Sequence, residues 1–221
     1  MPIQRHEVDF ETLPADVLER WRGVPPAIVS DCMNRSNVMA AAIKPVAAGM
    51  RVIGQARTVT CMVGDNSAVH TAIGMMERGE VLVVDAGGYE HTAVWGGIMT
   101  RAALQRGLAG LVVDGAVRDV AEIREFGFPC FARAAVPAGP HKGFGGIIDG
   151  PISCAGCPVK PGDLVLGDDD GVCVVPLERA QELLAASMDK IAQEEQTNAN
   201  TAAGRLPSDG MGLPEPEIIG G

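Results

Sequence analysis

Apolar positions recur along this chain with two periods, and each change of period marks a new element. Residues 13–22 and 27–33 read as short helices, and residues 34–49 are small and irregular. Residues 54–63 (G-Q-A-R-T-V-T-C-M-V) alternate and are rich in β-branched side chains, which predicts a strand. Asp65 or Asn66 can cap a helix that runs to about Arg78 and stops at Gly79.

The runs V-L-V-V-D-A-G-G (81–88) and L-V-V-D-G (111–115) are short, apolar and end on aspartate and glycine. Such runs suit strands buried on both faces. A helix follows each, from about Thr92 to Gln105 after the first and from about Val120 to Phe126 after the second. Two successive strand–turn–helix units imply a parallel pair joined by a right-handed crossover. Their following loops, 86–98 and 115–119, then share one rim of the sheet, where ligands of such sheets collect. Gly96 and Gly97 fall inside the first helical window, where each glycine costs about 1 kcal/mol relative to alanine. Close approach to a ligand or to another helix would account for them. If the helix begins at Gly96-Gly97 instead, its free N–H groups form an anion site opposite Arg118.

Residues 128–133 predict another strand, and the Pro- and Gly-rich stretch 137–150 predicts a binding or interface loop that carries His141 and Lys142. Short strands around 151–154, 163–167 and 171–175 suggest antiparallel or mixed β structure. A helix over Leu177 to about Glu195 closes the pattern, and the tail from Thr197 reads as loosely ordered or docked on a neighbour. No linker or repeat interrupts residues 1–221, which read as a single α/β domain.

Composition narrows the function. The net charge is −10 and aromatic residues make up 4% of the 221 residues. Neither a phosphate-binding basic face nor a base-stacking platform is expected, so nucleic acid is not an expected partner. No apolar run reaches the roughly 18 residues needed to cross a bilayer, and the start M-P-I-Q-R-H-E lacks the apolar core of a leader. The six cysteines are scattered, with one C-x-x-C at Cys154 and Cys157. Pro158 and a P-G turn follow that pair where a redox site would need a helix, so reduced, mostly buried thiols and a cytoplasmic setting are expected.

Arg118 and Asp119 carry the strongest candidate chemistry. An arginine can fork onto a carboxylate, and the adjacent aspartate can hold a hard divalent ion. A surface ion pair at a helix start fits the same two residues. Glu90 and His91 gain weight from their place on the ligand rim. His70 and His141 fall in no metal-binding spacing, and Asp168-Asp169-Asp170 with Gly171 reads as a solvated turn.

Six segments, among them A-V-W-G-G (93–97), R-G-L-A-G-L-V-V-D-G-A-V-R-D-V (106–120) and P-G-D-L-V-L-G-D-D-D-G-V (161–172), resemble the RraA-like family over about residues 27–195. That family includes the class II 4-hydroxy-4-methyl-2-oxoglutarate/4-carboxy-4-hydroxy-2-oxoadipate aldolases and the regulator of ribonuclease E activity. The resemblance implies an α/β fold of α/β/β type, with a central parallel or mixed sheet like that of the swivelling phosphohistidine domains. It implies a trimer or a dimer of trimers with sites at subunit boundaries. It assigns the pyruvyl group to Arg118, Mg²⁺ or Mn²⁺ to Asp119, and the pyruvate carboxylate to the backbone of Gly96, Gly97, Ile98 and Met99. Glu194 or Glu195 would support the metal from a neighbouring subunit. The activity implied is cleavage of a 4-hydroxy-2-oxo acid to pyruvate through an enolate, with oxaloacetate decarboxylation at the same site. The alternatives are a non-catalytic regulator that binds an RNA-processing enzyme and an enzyme on a different oxo or hydroxy acid. Retention of Asp119 favours an enzyme. One departure stands out: the aldolases' pattern has an acid 21 residues before the arginine, and here that residue is Gly97. Glu90, His91 or a hydroxide on the metal would then have to act as base.

Overall fold

The computed structural model describes residues 2–219. In chain order the strands are β1 (Ile3–Arg5), β2 (Lys44–Pro45), β3 (Val52–Cys61), β4 (Val81–Trp95), β5 (Gly110–Val117), β6 (Cys130–Ala135), β7 (Gly146–Ile148), β8 (Ile152–Cys154), β9 (Cys157–Val159), β10 (Leu164–Asp168) and β11 (Gly171–Val175). The helices are α1 (Ala15–Arg22), α2 (Pro26–Cys32), α3 (Ser67–Met75), α4 (Gly97–Arg106), α5 (Val120–Glu125) and α6 (Ala180–Ala202), the last entered through a 3₁₀ turn at Leu177–Arg179.

The central sheet runs β1-β7-β3-β4-β5-β6-β2, and β3 to β6 are parallel. Strand β3 is shared between two layers. Its first half pairs antiparallel with β10, and its second half pairs parallel with β4. Alternate residues of the apolar runs face opposite layers, which is why both runs are continuously hydrophobic. Leu82, Val84, Leu111 and Val113 pack under α3, α4 and α5. Val81, Val83 and Val112 pack against Val165, Val172 and Val174 of the β10–β11 hairpin and against the β8–β9 turn. The hairpin's other face, with Leu164, Leu166 and Val175, is covered by Trp21, Val29, Leu183 and Leu184 from α1, α2 and α6. The α/β/β order therefore holds, with a further helical layer outside the hairpin.

The largest difference from the expected elements concerns residues 89–95. They are not the start of a helix. Gly87 and Gly88 turn the backbone through the left-handed region (φ 69° and 67°), and β4 then continues to pair with β5 through three register shifts as far as Trp95–Val117. Such bulges lengthen one strand relative to its neighbour and re-aim the chain beyond them. Helix α4 consequently starts at Gly97. The stretch 137–150 is only partly loop. Its end forms β7, anchored where Asp149 Oδ2 accepts from Arg57 Nη2 at 2.6 Å in a buried pair. Helix α3 stops at Met75, before Arg78, where the Glu80 carboxylate accepts the Glu77 amide at 2.7 Å. At the C-terminus α6 extends to Ala202, so residues 197–202 are helical rather than loose. All six cysteines are free thiols and all but Cys32 are buried. Among the described residues no helix is long and apolar enough to cross a membrane.

Candidate functional site

Strand β5 delivers Arg118 and Asp119 to the rim at the carboxyl ends of the parallel strands. The Arg118 amide donates to Trp95 O at 2.9 Å, which ties the start of α5 to the end of β4. Asp119 occupies the N-cap position of α5 in the left-handed region (φ 59°). An aspartate at this position ordinarily caps its own helix. Here the side chain turns away, and Oδ2 accepts the Gly97 amide at 2.9 Å at the start of α4. Arg118 Nε lies 3.7 Å from the same oxygen, and both side chains are about two-fifths exposed. The pair is thus bound to a second helix and is more than a local ion pair at the start of α5.

The β4–α4 junction is cross-linked by side-chain contacts. Trp95 stacks on Phe128 with 6.1 Å between ring centroids. Its indole N–H donates to Thr100 Oγ1 at 2.8 Å, and that hydroxyl donates to Gly96 O at 3.1 Å. Three glycines keep space clear around the charged side chains. A Cβ at Gly96 would lie 2.6 Å from Asp119 Oδ2, and one at Gly139 would lie 2.5 Å from Arg118 Nη1. A Cβ at Gly97 would lie 2.6 Å from Glu122 Cδ and would overlap its Oε2. The Glu122 carboxylate therefore fills the space in front of Gly97, where the resemblance expects an acid.

Glu122 is the functional candidate that the sequence reading missed. The available signal was its spacing from Asp119: residues i and i+3 at a helix start lie on one face.

Arg118 and Asp119 line a cavity of about 270 Å³ together with Gly96, Ile98 and Met99. The first turn of α4 leaves the Ile98 and Met99 amides without helical partners, so they are available to an anion. Asn66, His70 and Lys142, from α3 and the segments before it and before β7, also line the cavity. Asn66 is held by Nδ2 donating to Val94 O at 3.0 Å, while its Oδ1 is buried without a partner. His70 stays exposed to solvent, and its partial desolvation, followed by the charge of Lys142, lowers its pKa below the usual histidine range. His141 is pinned through its backbone, which bonds Gly64 and Asn66, and its ring meets Phe144 edge-on at 6.4 Å. Of that pair it is Lys142 that reaches the cavity. Nearby, Asp65 fastens the start of α3 and residues 143–144. Burial raises its pKa, but hydrogen bonds from Ser67, Phe144 and Gly143 outweigh that and hold it below the usual carboxylate range.

Two groups proposed as bases are placed elsewhere. Glu90 and His91 lie on the exposed bulged part of β4, where the His91 ring meets Tyr89 at 5.4 Å, and neither lines the cavity. Glu194 and Glu195 lie on the exposed second half of α6, in the layer beyond the β10–β11 hairpin, so neither lines the cavity of its own chain. Among the described residues no three His, Cys, Asp or Glu side chains converge tightly enough to form a metal cage. What one chain offers is one carboxylate on the cavity wall, Asp119, and a second, Glu122, outside the lining but against Gly97, whose amide bonds Asp119. Mg²⁺ is commonly held by one or two carboxylates with waters completing its shell, so this donor set fits a hard divalent ion.

The RraA-like family, described as Aldolase/RraA, matches residues 26–174. A putative 4-hydroxy-4-methyl-2-oxoglutarate aldolase of Halalkalibacterium halodurans is 38% identical over 193 residues, 87% of this chain and 89% of that protein. A 4-hydroxy-4-methyl-2-oxoglutarate aldolase of Thermus thermophilus is 36% identical over 148 residues, 67% of this chain and 90% of that one. The solved structure of the RNA-processing inhibitor RraA from Thermus thermophilus superposes with a TM-score of 0.63 at 35% identity, covering 69% of this chain and 92% of the other.

Proposed function

The chain belongs to the RraA-like family of aldolases and RraA proteins, and from that premise we propose that the Arg118–Asp119 cavity is the active site of a divalent-metal-dependent lyase. Its substrate is a 4-hydroxy-2-oxo acid of the 4-hydroxy-4-methyl-2-oxoglutarate or 4-carboxy-4-hydroxy-2-oxoadipate type, cleaved to pyruvate, and oxaloacetate decarboxylation is its second reaction. The observation that carries this reading is the set of groups around Gly96 and Gly97: Asp119 and Arg118 occupy the space left by Gly96, Glu122 occupies the space left by Gly97, and the Gly97 amide bonds Asp119.

In this reading the substrate's 2-oxo acid end lies against Arg118 and the free amides of Ile98 and Met99. Lys142 faces a second anionic group, and Asn66 Oδ1 is an acceptor for a substrate hydroxyl. Proton removal from the 4-hydroxyl drives cleavage of the C3–C4 bond, and the electron pair becomes a pyruvate enolate. Arg118 is placed to stabilise the negative charge that develops on the C2 oxygen. Asp119 and Glu122 would hold Mg²⁺ or Mn²⁺, which supplies Lewis-acid stabilisation of the same charge when bound. Glu122 brings from α5 the carboxylate that the resemblance expects at position 97, where such an acid orients the water that takes the hydroxyl proton, so Glu90 and His91 are not needed as base. Glu194 or Glu195 would join the site only from another copy, in a trimer or dimer of trimers.

The test is release of pyruvate from a panel of 4-hydroxy-2-oxo diacids and oxaloacetate by purified protein with Mn²⁺ or Mg²⁺. Turnover that EDTA abolishes supports the reading, and no pyruvate from any of them would sink it. A second reading, a protein-binding regulator of RNA processing, draws on the naming of the Thermus structure and on the net charge of −10, which suits a basic partner. Asp119→Ala separates the two, because it removes metal-dependent turnover and leaves a protein-binding surface intact.

A further inference from the structure

Arg101 lies outside the groups considered so far, four residues after Gly97 on α4. Its Nη2 donates to Glu122 Oε1. Its guanidinium also lies over the Phe126 ring, 4.5 Å from the centroid. Phe126 follows Glu122 by four residues, at the C-cap of α5. The guanidinium is thus fixed from two sides, by an aromatic shelf and by the carboxylate it holds. Both sides come from α5, while Arg101 itself comes from α4.

The geometry points to Arg101 as a positioning residue that holds the Glu122 carboxylate in the space left by Gly97, the residue whose amide bonds Asp119. Gly97 supplies room and Arg101 supplies direction. Without Arg101 a glutamate that is one-third exposed is free to swing into solvent, and the site keeps a single fixed carboxylate. An ordinary surface ion pair would not have this consequence. Arg101 is 64% exposed, and exposed pairs contribute only about 0–1 kcal/mol to folding. Its removal should therefore leave the fold intact and act on the site alone. Arginine also suits the task better than lysine, because its planar group can stack and fork at once.

This inference rests on the proposed lyase reading, so the test separates the two. Mn²⁺ alone is titrated into the full-length wild type, Arg101→Ala and Arg101→Lys by calorimetry or electron paramagnetic resonance. Unfolding midpoints and pyruvate release are measured on the same preparations. Groups that orient metal ligands typically matter by about 10–100-fold. Arg101→Ala should weaken Mn²⁺ binding by that factor and lower kcat with little change in KM, at an unfolding midpoint close to wild type. Arg101→Lys should recover part of the loss. Wild-type Mn²⁺ affinity and kcat in Arg101→Ala would overturn the inference and leave the lyase reading standing. Tighter Mn²⁺ binding in that variant would also overturn it, since Arg101 would then be a competitor of the ion. A wild type that binds no Mn²⁺ would overturn the lyase reading, and the inference with it.

Discussion

The two strand–turn–helix units at the centre of the sheet begin alike and end differently. Both strands run through aliphatic residues to an aspartate, Asp85 in β4 and Asp114 in β5, and the two aspartates are register partners. From Asp114 the chain reaches α5 within six residues, through Arg118 and Asp119. From Asp85 it runs on in bulged strand for ten more before α4 begins. The short unit places charge, and the long unit brings a glycine helix start back over that charge. Neither unit makes a site alone. The Gly97 amide bonding to Asp119 is the contact that joins them.

The most severe break in that comparison is at the charged end. Asp119→Asn leaves an acceptor for the Gly97 amide but removes the carboxylate charge, and Arg118→Lys keeps charge but loses the fork. Either should lower kcat for pyruvate release by about 100–1,000-fold, the range for losing one stabilising group in a preorganised site. Both side chains are partly exposed, so the unfolding midpoint should move little. A drop of less than tenfold in both would place the chemistry elsewhere.

The glycine end breaks next. Alanine at position 97 meets Glu122, whose side chain can rotate away, so the fold should tolerate Gly97→Ala. The displaced carboxylate should cost about 10–100-fold in Mn²⁺ affinity, as in Arg101→Ala. Combining the two changes should add little, because both act through the same carboxylate. Fully additive losses in the double variant would show that the two residues act independently.

Much of this arrangement is legible in the sequence. The buried strands follow from continuous aliphatic runs, and Arg118-Asp119 stands out because two charges directly follow one of them. The helix start was ambiguous, between Thr92 and Gly96-Gly97, for a physical reason. Y-E-H-T-A-V-W mixes apolar and polar residues in an order that suits a helix turn as well as a bulged strand, and pairing to β5 decided between them. Glu122 was hidden because its partner across the gap is a glycine, which shows no side chain to match. Strand β1 escaped notice because its three residues are all exposed at a sheet edge, and β9 because three residues after a tight turn carry too little pattern.

The third wall of the cavity belongs to neither unit, and its signature is a pH dependence. Partial desolvation and Lys142 both disfavour protonated His70 in the folded state, and because His70 remains exposed the effect is small. The unfolded chain therefore takes up this proton first, near the ordinary histidine value of about 6.5. The stability linked to neutral His70 is complete above that pH and falls as pH drops below it, until the folded group is protonated too. Urea unfolding at pH 7.5 and pH 5.5 should show a smaller loss for His70→Gln than for wild type. Equal losses would mean that the His70 environment is not felt.

The smallest expected effect tests what the long unit is for. Glu90 and His91 sit on the exposed part of the β4 extension and point to no group in the cavity of their own chain. If that extension serves to carry Gly96 and Gly97 to Asp119, its exposed side chains are incidental to the chemistry, and Glu90→Gln with His91→Asn should keep wild-type kcat and KM. Stability should change by no more than about 0.5 kcal/mol, as for most surface substitutions. A large loss of kcat in the double variant, with Mn²⁺ affinity unchanged, would mean that the extension supplies the base after all, across a boundary with another copy. The comparison between the two units would then invert, with β4 providing chemistry and β5 providing the place where it happens.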